Sequence, residues 1–453
     1  MEGYKFIKVM DAQRSLPGGG ADGRLCDRGR AVGHYCSSVS LMSNNFSLLG
    51  LLGNPSIARL FAARVSGNAG DGFGMLALSF GALHMGYGPA GLSVIVAAKA
   101  APALLVLAGG MVGDRFRRHQ VMAGAEMLAA CAWCGFAMCC FAGAAPLALV
   151  CGLALLAGLA RALLIPAERG IVADLVEGRA RQVANALLGQ SVAVGLLIGL
   201  ALSGVLVAAA GAWAAAAVKS GTSVVGAALL VRLRTPVRCR EGSGMLAELR
   251  GGWREFTSVQ WTWALTGQFT VVAVAVSAFS SVVGPLYMAQ GHGGPGGWGM
   301  VSAMEAGGAL AGALVAARWR PARPVLAAAL LPVTAAGPMV LAGVGADWWL
   351  LAAAMVVPGV CQTIYAVLWS TTVQATFPPD VLARVNSWNL LGGFALTPVA
   401  VLVAGPLTSR FGASVVAAGA GMLIVVATLT VLLVAQVRRF GAQTEHGELA
   451  QAG

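Results

Sequence analysis

Apolar windows of about 19–24 residues recur along this chain, separated by short polar turns. They fall at 60–83, 92–112, 121–141, 147–165, 184–207 and 213–231. After a polar segment they resume at 263–286, 298–317, 325–343, 349–372, 385–407 and 413–434. About 20 apolar residues cross the hydrocarbon of a bilayer as a helix, and a helix satisfies its backbone polar groups internally. This recurrence predicts an all-α integral membrane protein with twelve transmembrane helices. Only 11% of the residues are charged, against about 25% in soluble domains, so lipid is the chain's main solvent.

The 30 Lys and Arg residues test that map. With the N-terminus in the cytoplasm, nearly all fall in loops or tails on the inner side. Only Arg410 falls outside, and Arg64, Lys99, Arg161 and Lys219 lie within spans. The net charge of +12 therefore reads as orientation in an anionic membrane rather than as affinity for nucleic acid. The expected setting is a bacterial plasma (inner) membrane, multi-pass, with both termini cytoplasmic.

The organisation that follows is a disordered cytoplasmic arm (1–56), a six-helix bundle (57–231), a cytoplasmic linker (232–261), a second six-helix bundle (262–436) and a cytoplasmic tail (437–453). Arg115-Phe116-Arg117 and Arg318-Trp319-Arg320 stand at one common offset. Ala180-Arg181 and Ala383-Arg384 share it, as do Leu187-Leu188-Gly189 and Leu390-Leu391-Gly392. Two halves in parallel repeat, with a substrate site between them, are a transporter architecture. Ala317 stands where the second copy would need an acid to match Asp114.

Enzymatic chemistry finds no support. His34, His84, His119, His292 and His446 are scattered over tail and loops, without metal-ligand spacing. No glycine loop ends in Lys-Ser/Thr, so no nucleotide-driven step is expected. Cys131 and Cys134 form a single C-x-x-C, and with Cys139, Cys140 and Cys151 they read as small apolar packing residues. No metal or cofactor is expected.

Besides Arg64 near the inner mouth of span 1, six ionisable residues inside the spans carry the functional signal: Asp71, Lys99, Glu126, Arg161, Lys219 and Glu305. Such groups are costly in lipid and mark substrate or ion pathways. At ~1.5 Å per residue, Asp71 and Lys99 lie ~18 and ~22 Å from the inner side, while Glu126 and Arg161 lie ~10–12 Å deep. Depth therefore pairs Asp71 with Lys99 and Glu126 with Arg161. Lys219, near the outer end of its span, is expected to snorkel outward. Glu305 lies near the midplane without a buried cation in its half. Desolvation favours the neutral form of an unpaired carboxyl, which suits a group that carries a proton through a cycle. Asp71 and Glu305 are the proton-coupling candidates.

The turn at 109–119 contains Gly110, Gly113, Asp114, Arg115, Arg117 and Arg118 between two spans. Its G-x-x-x-D-R-x-x-R pattern resembles the loop between helices 2 and 3 of the major facilitator superfamily. Several other stretches resemble the bacterial drug and siderophore exporter branch of that superfamily. They are Ser66-Gly67-Asn68-Ala69-Gly70-Asp71, Pro166-Ala167 through Asp174-Leu175-Val176, Ala184-Asn185-Ala186-Leu187, Gly252-Trp253-Arg254-Glu255-Phe256, and Phe377-Pro378-Pro379 through Ala383-Arg384-Val385. One departure stands in span 5, where exporters often carry G-x-x-x-G-P-x-x-G-G. Gly195, Gly199 and Gly204 are kept, but Leu200 replaces the proline and Ser203 a glycine.

The resemblance implies a monomeric secondary transporter working by alternating access. It implies a conformational gate at Gly110, Asp114, Arg115 and Arg118 that meets the other half. It places the substrate cavity between spans 1, 4, 7 and 10, with Phe73, Phe269, Phe279, Tyr365 and Trp369 as aromatic lining and Gln268 and Gln362 as polar contacts. The expected activity is proton-coupled export of an amphipathic small molecule such as a drug, antibiotic, siderophore or other secondary metabolite. Proton-coupled uptake of a small nutrient by the same fold is the alternative.

Overall fold

Twelve helical segments alternate in direction among the described residues of a computed structural model, which are 53–105, 117–176, 179–233, 256–378 and 381–439. The first half contains α1 (Pro55–His84), α2 (Gly88–Ala100, tightening to a 3₁₀ turn at Ala101–Leu105), α3 (Arg118–Ala142), α4 (Leu147–Leu175), α5 (Arg179–Ala210) and α6 (Ala212–Val231). The second contains α7 (Gln260–Ala289), α8 (Gly294–Arg318), α9 (Pro324–Gly343), α10 (Trp348–Thr376), α11 (Leu382–Phe411) and α12 (Ala413–Leu432). Nine helices among the described residues are long and apolar enough to cross a membrane. Gly110, Asp114, Arg115 and most of the expected arm (1–56) and linker (232–261) lie outside the described residues.

Local chemistry accounts for the boundaries. Asn54 caps α1 through Oδ1, which accepts from the Ser56 N–H at 3.0 Å, and Pro55 opens the helix where a missing N–H is harmless. Pro332 sits in the 3₁₀ turn Leu331–Ala335 that interrupts α9. Pro166 does not end α4, which runs on to Leu175, ten residues past the expected boundary at 165. Buried helices tolerate an internal proline because neighbouring groups take up the freed carbonyl.

The two halves repeat one packing scheme. In the first, α1 packs on α5 and α6, α3 on α6, and α2 on α4. In the second, α7 packs on α11 and α12, α9 on α12, and α8 on α10. The turns repeat as well. Gly211 (φ 92°) links α5 to α6 and Gly412 (φ 86°) links α11 to α12, left-handed conformations that glycine adopts without strain. The Tyr87 hydroxyl donates to the Ala145 carbonyl at 2.5 Å, and the Tyr287 hydroxyl to the Ala346 carbonyl at 2.6 Å.

The halves meet through α5 against α8 and α2 against α11. Both seams are backbone-close. A Cβ on Gly204 would lie 2.8 Å from the Gly299 Cα, and one on Gly405 would collide with Ser93. Both lie at the end of the molecule that carries the tight turns, where the Ser79 hydroxyl also donates across the seam to the Ser281 carbonyl at 3.2 Å. At this end one apolar cluster draws on both halves, including Phe80, Trp133 and Phe136 from one and Phe279, Tyr287 and Trp298 from the other. Toward the opposite, basic end the core divides. Leu60, Met122, Ile171 and Leu233 cluster within the first half, while Trp261, Leu265, Trp369 and Val373 cluster within the second. Among the described residues, therefore, the halves share a core at the tight-turn end only.

Candidate functional site

Helical periodicity gathers the charges of the first half. Arg64, Gly67, Asn68 and Asp71 recur at three- and four-residue steps along one face of α1, and Arg161, Leu164 and Glu168 do so on α4. With Lys99 from α2, Glu126 from α3 and Lys219 from α6, they line a cavity of about 280 Å³. The glycines make this approach possible. A Cβ on Gly72 would lie 2.6 Å from the Leu200 N, so α1 and α5 touch backbone to backbone. A Cβ on Gly158 would overlap the Lys99 carbonyl, which presses α2 onto α4.

The charges form a ladder. Lys219 Nζ lies 2.7 Å from Asp71 Oδ1, Arg161 lies 3.7 Å from Asp71 Oδ2 and 3.8 Å from Glu168, and Arg64 lies 2.7 Å from Glu168. Each of these two carboxylates thus holds two cations, an arrangement that fixes α1, α4 and α6 to one another. Glu126 is wedged between α1 and α6, where a Cβ on Gly67 or Gly226 would stand 3.2 or 3.5 Å from its carboxyl group. Lys99 Nζ sits 5.4 Å from the centroid of the Trp133 ring.

These pairings correct the ones read from depth. Asp71 engages Lys219 and Arg161, not Lys99, and Arg161 engages Asp71 and Glu168, not Glu126. Lys219 does not snorkel. Its side chain turns into the bundle, and the residue is only 5% exposed. Depth along a helix says nothing about azimuth, and a Lys stem spans more than one helical turn. Arg64 and Glu168 join the ladder unpredicted. Once α4 is known to continue through Pro166, the seven-residue spacing from Arg161 to Glu168 places both on one face.

The second half offers a different site. Glu305 of α8 faces a cavity of about 170 Å³ with Phe269, Pro358, Gln362 and Tyr365. Phe269 and Tyr365 stack with centroids 5.8 Å apart and planes 8° from parallel. A Cβ on Gly359 would overlap the Glu305 carbonyl, so α10 presses on α8 as α4 presses on α2. Glu305 has no ion pair or side-chain hydrogen bond among the described residues. Lys99 and Glu305 occupy matching places. Gly88-Pro89 opens α2 and Gly294-Pro295 opens α8, and each charge follows its glycine at the same spacing.

The remaining expected cavity residues are placed elsewhere. Gln268 is a tie inside the second bundle, donating to the Ala329 carbonyl at 2.7 Å and to Thr428 Oγ1 at 2.9 Å. Phe73 and Phe279 are buried in the shared core, Phe279 edge-on to Trp298. Trp369 packs edge-on to Trp261 and donates to Asn386 Oδ1 at 3.3 Å. Of the expected gate, Arg118 is described. It donates to the Gly170 carbonyl at 2.6 Å and pairs with Asp174 at 3.2 Å, both on α4 of its own half.

A search of curated proteins finds no sequence match. Among solved structures, the chain is similar to the nucleoside transporter NupG, with a TM-score of 0.67 at 11% identity over 83% of this chain and 98% of that one. A point mutant of NupG gives 0.68 at 12% identity, over 83% and 99%. A bacterial homologue of the human lysosomal transporter Spinster, solved inward-facing and unoccupied, gives 0.63 at 16% identity over 86% and 98%. These likenesses concern the fold. The sequence signature described as "Major Facilitator Superfamily", whose members are secondary transporters rather than enzymes, matches residues 60–397. The chain belongs to the major facilitator superfamily.

Proposed function

We propose that this chain exports an amphipathic small molecule in exchange for protons, as a monomer of the drug and siderophore exporter branch in a bacterial plasma membrane. The observation that carries the reading is Glu305: a half-buried carboxyl in a mostly apolar cavity, with no countercharge among the described residues. Such a group binds and releases a proton with modest changes in surroundings, because hydration alone shifts the balance between its two forms. Asp71 takes a secondary part. With Lys219 and Arg161 on its carboxyl, it accepts a proton only in a state where one of them has moved.

The divided core supports alternating access. With the basic end cytoplasmic, the halves part toward the cytoplasm and the cavities open there, the state in which an exporter loads. Closure of that end brings the 2–3 turn, with Gly110, Asp114, Arg115 and Arg118, to the second half. The stacked Phe269–Tyr365 pair and Gln362 suit a ring-bearing molecule. Nutrient uptake by the same machinery is the alternative.

Proteoliposomes with an imposed pH gradient test the proposal. Candidate compounds are added on the side toward which the basic end faces, and proton movement is followed with a pH dye. Substrate entry coupled to proton exit supports antiport. Co-movement of substrate and proton in one direction supports uptake, and substrate flux indifferent to the gradient rules out both.

A further inference from the structure

The first-half cavity holds more positive than negative charge. Arg64, Lys99, Arg161 and Lys219 face Asp71, Glu126 and Glu168. The ladder commits Asp71 and Glu168 to two cations each, and Glu126 is enclosed between glycines of α1 and α6. Lys99 stands outside the ladder. Among the described residues no carboxylate lies within 4.0 Å of its Nζ, and its aromatic neighbour is the face of Trp133. Asp71, the carboxylate that attracts Lys99 across the cavity, is already held by Lys219 and Arg161, so the Lys99 ammonium is incompletely neutralised, and an anion brought by a ligand relieves that imbalance. Arg161 points the same way. Its side chain remains 42% exposed while that of Lys219 is 6% exposed, so Arg161 has N–H donors left to offer. Apart from Asn68, whose amide donates to the Arg64 carbonyl, the rest of the wall is apolar, including Met75, Met122, Leu164 and Leu196 beside Trp133.

We propose that this cavity is an anion subsite, and that the transported molecule carries a carboxylate or similar single negative charge on an apolar body. The anion lies against Lys99 and the exposed face of Arg161, and the body lies against Trp133 and the two methionines. This inference rests on the transporter reading above and narrows amphipathic substrates to anionic ones. Its test uses binding alone, so failure of proton coupling and failure of the subsite are separate results.

The test is calorimetric titration of the purified full-length chain with three probes of one shape: 1-naphthoate, 1-naphthamide and 1-naphthylmethylamine. Loss of a charge-assisted contact corresponds to about tenfold or more in affinity, so naphthoate is expected to bind at least that much more tightly than the other two. Lys99→Gln should remove this preference, and Lys99→Arg should keep it. Equal binding of the three probes, tighter binding of the amine, or full naphthoate affinity in a folded Lys99→Gln protein each overturns the proposal. If Lys99→Gln does not fold, the comparison of the three probes on the native chain still decides. Sodium chloride supplies the last arm. Chloride that binds as tightly as naphthoate would mark an inorganic-anion site and overturn the claim of an amphiphilic ligand.

Discussion

Lys99 and Glu305 stand at matching positions in the two halves, yet their surroundings have little in common. Seven ionisable side chains, Lys99 among them, share one cavity and most are interlocked. Around Glu305 one carboxyl stands among aromatic, aliphatic and uncharged polar groups. The backbones that hold them are nearly interchangeable, with the same Gly-Pro start, the same glycine pressing on the carbonyl, and the same Tyr strut at the tight-turn end. The repeat thus preserves packing while the side chains facing the cavities diverge. An interlocked ladder resists change of charge and a lone carboxyl does not, and on this difference rests the proposal that one half recognises the substrate while the other couples the proton.

The largest difference should appear on removing one charge from each half. Lys219→Met removes the closer of the two cations on Asp71, leaving Arg161, and should cost about 2–3 kcal/mol of stability, measured by unfolding in detergent. Asp71→Asn combined with Lys219→Met should recover most of that loss. Glu305→Gln replaces a carboxyl that has no countercharge among the described residues by a neutral amide of the same shape, and it should cost less than about 1 kcal/mol or stabilise the protein. Similar losses for Lys219→Met and Glu305→Gln would erase the distinction between ladder and lone carboxyl.

A middle-sized effect is expected at the seam. Gly204→Val forces a side chain against Gly299 and should cost about 1–3 kcal/mol, as overpacking does. Because the described halves share a core only at this end, the same change should raise thiol labelling of a cysteine placed at Ser79. Unchanged labelling would mean that the seam is not what closes the tight-turn end.

The smallest effect should be shared equally. Tyr87→Phe and Tyr287→Phe each remove one hydrogen bond, worth about 1 kcal/mol. Matched losses sharpen the view that the struts belong to the common scaffold. A large loss in one half alone would break the repeat at that point.

What could be read from the sequence follows the same division. The spans were legible because lipid imposes a length on each apolar helix. The repeat was legible in Arg115 and Arg318. The isolation of Glu305 could be anticipated because no Lys or Arg falls within the apolar windows of its half. The partners of Asp71 could not, since depth alone favoured Lys99 and only the packing of α1, α4 and α6 selects Lys219 and Arg161. Glu168 was hidden behind Pro166, which reads as a helix end in water but sits inside α4 here. Gln268, a polar residue in an apolar span, suggested a cavity contact, but its amide nitrogen donates to the Ala329 carbonyl and Thr428 Oγ1 inside the bundle. Polarity located the candidates, and three-dimensional neighbours decided what each one does.

The central claim is that Glu305 couples proton movement to transport. Native and Glu305→Gln proteins should be compared in proteoliposomes, first with an imposed pH gradient and then in substrate exchange without one. The account predicts that Glu305→Gln still exchanges substrate but no longer accumulates it against a concentration difference. Accumulation by Glu305→Gln at the native level would contradict it.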